Sequence, residues 1–251
     1  MSIPKIIHYC WFGKNEYPPI MKKCLKSWQA YCPDYQFVLW NEDSFDVNSS
    51  EWTRQAYEAK KYAFVADYVR LRAIKEYGGV YLDIDQELIK PLDKFLPRRA
   101  FLGFMREDSV SMGIIGAEPN HPTICALFKH YDNRKFIVNS KQDLLPITDW
   151  VTERLINDGL KLNDSVQEIN DGVVIYPREY FCPTYCTQPK SLKSKRTVSI
   201  HHWAMTWRTE TEINQFAELK KSRKKTYMIG NKIMSYPKRI YRKIKRTFNW
   251  K

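Results

Sequence analysis

The sequence predicts an α/β fold built on one central sheet. Three observations carry that prediction. Apolar strand-like runs alternate with stretches of helical periodicity. A Gly-Gly pair closes the longest helical stretch. The apolar strand that follows ends on two aspartates, Asp83 and Asp85. Open α/β sheets bind ligands at the carboxyl ends of their strands, so chemistry is expected at that strand end.

Taken in order, residues 5–11 (Lys-Ile-Ile-His-Tyr-Cys-Trp) read as a first buried strand, and Gly13 opens a loop. Pro18 and Pro19 precede a helix over 21–30, and 35–40 reads as strand two. A turn at 41–44 leads to a helical region over 50–77, where Ala63, Ala66, Val69, Ala73 and Ile74 fall near 3.6-residue spacing. Gly78 and Gly79 stop it. Beyond the Asp-bearing strand, strand and loop pieces fill 100–119. Helices are expected over 122–131 and 143–158, and late strands over 173–176 and 198–203. There is no internal repeat, and no linker before the C-terminal tail.

Side chains alternate across a strand, so Val80, Leu82 and Ile84 are expected on one face and Tyr81, Asp83 and Asp85 on the other. Two neighbouring carboxylates repel, and the usual remedies are a shared proton or a hard divalent cation. The pair reads as a metal–diphosphate site. The alternative is two exposed strand-end carboxylates.

An apolar fraction of 43% with a mean hydropathy of −0.55 fits a globular chain of one large domain, and no stretch approaches a membrane span. The opening Met1-Ser2-Ile3-Pro4 lacks a basic n-region and an apolar h-region, so no secretory leader is expected. Cysteines 10, 24, 32, 125, 182 and 186 lack zinc-like pairing and are expected to be reduced thiols. The charge is placed unevenly. Residues 220–251 hold 13 Lys or Arg and no acid, equal to the whole formal charge of +13. Residues 1–219 are therefore neutral and are expected to be the catalytic body. In the tail, Ile240, Tyr241, Ile244 and Phe248 recur at helical spacing among cations, the pattern of an interfacial amphipathic helix. Each cation near an anionic leaflet is worth about 1 kcal/mol, so the tail is expected to hold the protein on a membrane surface; a solvated or RNA-touching tail is the alternative.

Ile3-Pro4-Lys5-Ile6-Ile7-His8, Trp11, Ala66-Asp67-Tyr68-Val69-Arg70, the Gly-Gly-Val-Tyr-Leu-Asp-Ile-Asp segment at 78–85, and His201-His202-Trp203 through Trp207 together resemble glycosyltransferase family 32, the DXD-motif sugar transferases. The resemblance covers about residues 3–208. It implies a GT-A fold, a Rossmann-like mixed sheet flanked by helices with an acceptor-binding half. It further implies that Asp85 coordinates Mn²⁺ (or Mg²⁺) gripping a nucleotide-sugar diphosphate, with Asp83 on the metal or the ribose. Asp67 and Arg70 would bind donor-sugar hydroxyls; read by themselves they are an intrahelical ion pair worth tenths of a kcal/mol. Trp11 would stack on the base, or is a core tryptophan. His8, inside an apolar strand, reads as a satisfied core histidine. His201 best matches the closing metal or diphosphate contact, with His202 beside it, and Trp207 ends that element. Ser111 and its neighbours, followed by Asn120-His121-Pro122, match a loop bordering the donor sugar, though relatives often have Asn where Ser111 or Met112 stands. Tyr180-Phe181-Cys182-Pro183 matches a structural element.

The resemblance implies a retaining hexosyltransferase acting from a nucleotide-sugar, UDP-galactose first and UDP-glucose, UDP-N-acetylglucosamine or GDP-mannose next. Its acceptor would be a lipid-linked glycan of a bacterial capsule, exopolysaccharide or O-antigen, reached from the cytoplasmic face of the membrane. Rival readings are a phosphatase and a non-enzymatic scaffold. A HAD-type phosphatase expects Thr or Val two residues after the second Asp, where Glu87 stands. A basic membrane or nucleic-acid scaffold explains the tail but gives the carboxylate pair no task, and no specific nucleic-acid partner is expected.

Overall fold

The computed structural model describes residues 2–184 and 191–204. The 220–251 tail, Cys186 and Trp207 lie outside the described residues. The elements in order are β1 (Ile6–Cys10), α1 (Pro19–Tyr31), β2 (Gln36–Trp40), α2 (Glu51–Glu58), α3 (Tyr62–Tyr77), β3 (Gly79–Leu82), β4 (Gln86–Leu88), β5 (Ala100–Arg106), β6 (Ser109–Ala117) and α4 (Pro122–Phe128). Then come β7 (Ile137–Val138), β8 (Lys141–Gln142), α5 (Ile147–Asn157), β9 (Gln167–Ile169), β10 (Val173–Tyr176), α6 (Arg178–Phe181) and β11 (Ser199–His201).

Seven strands form a sheet in the order β2-β1-β3-β6-β5-β10-β9. β1 is parallel to β2 and β3, and β10 to β5, while β6 runs antiparallel to both β3 and β5. This is the mixed central sheet flanked by helices that a GT-A fold requires. A separate two-stranded ribbon pairs β4 with β11, bringing His201 opposite Gln86. Among the described residues no helix is long and apolar enough to cross a membrane.

The alternation in the Asp-bearing segment divides two cores as expected. Val80, Leu82 and Ile84 pack into one with Ile7, Trp28 and Phe95. Tyr81 packs into the other with Val65, Val69 and Ile115. The strand itself stops at Leu82; Asp83 to Asp85 form a turn closed by the Gln86 amide donating to the Asp83 carbonyl at 2.8 Å. The Trp28 indole then pins β4 by donating to the Gln86 carbonyl at 2.6 Å.

Gly78 and Gly79 are required by geometry. Both have left-handed backbones, φ +65° and +92°, and a Cβ on Gly79 would lie 2.7 Å from the Ile6 carbonyl oxygen. The single helical region expected over 50–77 is two helices. Lys60 takes φ +57° between them, and its amide and that of Lys61 bond back to the Tyr57 and Ala56 carbonyls, ending α2. The expected pieces over 100–119 are a long hairpin, β5 and β6, interrupted by a register break. α5 begins at Ile147 rather than 143 because Pro146 precedes it.

Candidate active site

α3 is buried on almost every side, and its burial includes two charged residues, Asp67 and Arg70, one turn apart. Such burial needs partners. The Arg70 guanidinium finds three. Nη1 donates to the Met112 carbonyl at 2.6 Å, and Nη2 lies 3.1 Å from both Asp67 Oδ1 and Asp83 Oδ1. Its plane also sits over the Tyr81 ring, 4.6 Å from the centroid. The expected Asp67–Arg70 pair is therefore present, and it extends to the first aspartate of the Asp-x-Asp turn. Burial pushes the Asp67 carboxyl up to about 6 against the pull of Arg70. For Arg70, burial opposes the charge most strongly, but Asp83, Tyr81 and Asp67 together outweigh it and hold the guanidinium above its ordinary pKa.

The two aspartates share one design. Asp83 Oδ1 accepts from Arg70 and, at 3.1 Å, from the Tyr81 hydroxyl, while Oδ2 faces His201 Nε2 at 3.8 Å. Asp85 Oδ2 accepts the Ala204 amide at 2.8 Å, while Oδ1 lies 3.1 Å from the same His201 nitrogen. Each carboxylate thus has one oxygen held by the protein and one turned toward a common point. Burial alone would lower the His201 pKa; Asp85 outweighs it and holds the imidazole well above its ordinary value. Asp85 is correspondingly held low, with His201 and the Ala204 amide overcoming its burial.

Ligand atoms of Asp83, Asp85 and His201 lie within 4.8 Å of one another. The set fits a divalent cation. Its free oxygens and one imidazole nitrogen suit Mn²⁺ or Mg²⁺. His201 Nδ1 is buried without a hydrogen-bond partner of ordinary geometry, with the Cys182 thiol beside the ring.

Backbone bonds explain why His201 and not His202 enters the site. β11 alternates, so adjacent histidines point apart. The His202 amide donates to the Asp85 carbonyl at 3.1 Å, and its Nε2 lies 2.7 Å from Glu87, which Lys23 also pairs at 2.8 Å. Trp203 stacks on the His201 ring at 3.9 Å and anchors through its indole to the Thr184 carbonyl.

The remaining expected residues are placed as follows. Trp11 sits just past β1, on the same sheet end as Asp83, half-buried edge-on to Tyr17 and donating to the Asn15 carbonyl. His8 is a satisfied core histidine: Nε2 pairs with the Gly78 carbonyl and Nδ1 accepts the Trp40 indole. Ser111 lies in β6 rather than a loop and is 1% exposed, with its hydroxyl accepting the Gly113 amide. Asn120-His121-Pro122 does not border the site. β6 is antiparallel to β3, so these residues follow its far end, where Ala117 pairs Gly79. The Tyr81 hydroxyl was signalled by its alternation with Asp83; the Met112 carbonyl and Ala204 amide are backbone groups that no side-chain pattern announces.

Residues 18–102, which include Asp67, Arg70, Asp83 and Asp85, match the family model described as a glycosyltransferase sugar-binding region containing a DXD motif. A mannosyl phosphorylinositol ceramide synthase of Saccharomyces cerevisiae is 33% identical over 54% of this chain, which spans 37% of that protein. An uncharacterized glycosyltransferase of Acanthamoeba polyphaga mimivirus is 28% identical over 74% of this chain and 79% of its own length. Among solved structures, PaToxG glycosyltransferase overlaps 63% of this chain and 70% of its own at 18% identity, with a TM-score of 0.48. Residues 18–102 are thus similar to a DXD-motif sugar-binding region, and the aspartates of that motif stand at the centre of the site.

Proposed function

We propose that the chain moves a hexosyl group from a nucleotide-sugar to a glycan or lipid-linked acceptor, using a divalent cation. One observation carries the reading: Asp83, Asp85 and His201 converge beside the buried Arg70–Asp67 pair, at the carboxyl end of β3.

A bound Mn²⁺ or Mg²⁺ would supply Lewis-acid stabilisation to the departing diphosphate. The residues do the rest by position. Arg70 is a fixed cation one side chain away from that point, its fork set by Met112, Asp67 and Asp83. Asp67 offers a buried carboxylate to sugar hydroxyls. In the transfer, the anomeric carbon–oxygen bond to the diphosphate breaks and one to the acceptor oxygen forms. The acceptor proton passes to the departing phosphate on the same face, which retains configuration.

The mannosyltransferase names of the fungal relatives put GDP-mannose beside UDP-galactose at the head of the donor panel. They also support a lipid acceptor, which agrees with a membrane-surface role for the 13 cations of 220–251. Assembly of a capsule, exopolysaccharide or O-antigen at the cytoplasmic face rests on the family resemblance. The test is release of nucleoside diphosphate from a panel of nucleotide-sugars, with Mn²⁺ and with EDTA. Metal-dependent hydrolysis of one donor is expected. No turnover and no binding of UDP or GDP would overturn the reading.

A further inference from the structure

Three consecutive residues of β6 touch the site without contributing a charge. The Met112 carbonyl accepts Arg70 Nη1, and the Gly113 carbonyl accepts the Asp83 amide at 2.8 Å. The Ser111 hydroxyl in turn accepts the Gly113 amide at 3.1 Å. They sit at a break in the β5–β6 register. Leu102 pairs with Ile115, but the next β5 residue, Gly103, pairs with Ser111. Met112 to Ile114 therefore bulge out from β5 while β6 stays paired to β3 through Ile114 and Leu82. Bulges beside active sites commonly aim a side chain or a backbone group.

At Gly113 the space matters more than the backbone. Its φ lies outside the left-handed region, so alanine could adopt this conformation. A Cβ there would stand 2.8 Å from Asp83 Oδ2, 3.1 Å from His201 Cε1 and 3.2 Å from His201 Nδ1. Asp83 Oδ2 is the oxygen that Arg70 and Tyr81 leave unclaimed. The missing side chain is thus the room in which the unclaimed oxygen and the imidazole meet.

We propose that the Ser111–Gly113 bulge is the positioning wall of the cation site. Gly113 admits Asp83 Oδ2 and His201 to one point, and Ser111 acts through Gly113 by fixing its amide. This assigns Ser111 a task inside the protein, in agreement with its complete burial. The inference rests on reading Asp83, Asp85 and His201 as a metal site.

The experiment uses the full chain without donor. Mn²⁺ affinity is measured by electron paramagnetic resonance of the free ion, and melting is followed in EDTA. Gly113→Ala is expected to weaken Mn²⁺ binding at least tenfold, the scale of losses when groups around metal ligands are altered. Ser111→Ala is expected to weaken it several-fold. Both metal-free melting temperatures should stay within about 4 °C of wild type. Wild-type Mn²⁺ affinity in Gly113→Ala would overturn the inference and leave the metal site standing. So would loss of a cooperative melt, which would make Gly113 a folding requirement. A wild-type chain that binds no Mn²⁺ would instead overturn the metal reading itself, and this inference with it.

Discussion

Two buried histidines at opposite ends of the central sheet show what separates a site from a strut. His121 and His201 are both buried, and each leaves Nδ1 without a hydrogen-bond partner of ordinary geometry. Their surroundings push them in opposite directions. His121 Nε2 faces the Asp171 carbonyl, a neutral acceptor, and burial lowers its pKa. The carboxylates nearby are engaged elsewhere: Glu118 by Arg99, and Asp171 by the Thr123 hydroxyl. His201 faces two carboxylate oxygens, and Asp85 raises it despite burial. The far end has paired its charges within the fold, whereas the near end aims them at one point. Among the described residues, the ligand set for a cation forms at that point, from Asp83, Asp85 and His201, and not around His121.

The sharpest way to break this contrast is Asp85→Asn. The amide keeps an acceptor for the Ala204 N–H but removes the charge that faces His201. Metal-dependent donor turnover is expected to fall by about 10³-fold, the scale of losing transition-state charge stabilisation. Released nucleoside diphosphate is the readout. A variant that turns over like wild type would leave the near end as structural as the far one.

The same contrast predicts two limbs in the pH dependence of metal-free stability. His8, a core histidine in the middle of β1, is held down at about 4 by burial, against an ordinary 6.5. Below 6.5 the unfolded chain binds a proton that the folded His8 refuses until about 4, so stability falls with pH through that window. The loss is about 3 kcal/mol, and the lowered His121 acts in the same direction. Asp67, raised to about 6 by burial, takes up a proton more readily when folded and opposes this slope. The His8 contribution is therefore read as the difference between wild type and His8→Asn. His201 behaves oppositely. Its folded pKa is raised, so its contribution is full below 6.5 and is lost as pH rises through the folded value. Urea midpoints in EDTA from pH 4 to 9 check both limbs. If His8→Asn keeps the wild-type acid slope, buried histidine is not its origin.

How much of this was legible in the sequence depends on which atoms do the work. Val80, Leu82 and Ile84 alternate with Tyr81, and that period alone divides them between the two cores. Asp67 and Arg70 lie one helical turn apart, so their pairing follows from spacing. The Asp83–Asp85 turn does not: strand alternation continues on paper past Leu82, where the chain leaves the sheet to accommodate the Gln86 amide. Nor does the size of the β6 bulge: Gly113 inside the strand permits a break, but nothing in Ser109–Ala117 says how many residues fall out of register with β5. Asn120-His121-Pro122 lies away from the site because motif order carries no strand direction; an antiparallel β6 takes its two ends to opposite ends of the sheet.

The smallest effect tests the contrast at its finest scale, between neighbours. His202 is one residue from His201, yet its Nε2 joins Glu87, which is also paired to the exposed Lys23. Pairs of this half-solvated kind are worth about 0.5–1 kcal/mol. His202→Gln should therefore lower stability by no more than that and leave Mn²⁺ affinity within about twofold, since no atom of its side chain faces the common point. His201→Gln should lose Mn²⁺ binding. Comparable losses in both variants would mean that the β4–β11 ribbon as a whole sets the cation affinity. The orientation of a single imidazole would then matter less than the pairing that delivers it, and Glu87 would rank with the residues that hold the site.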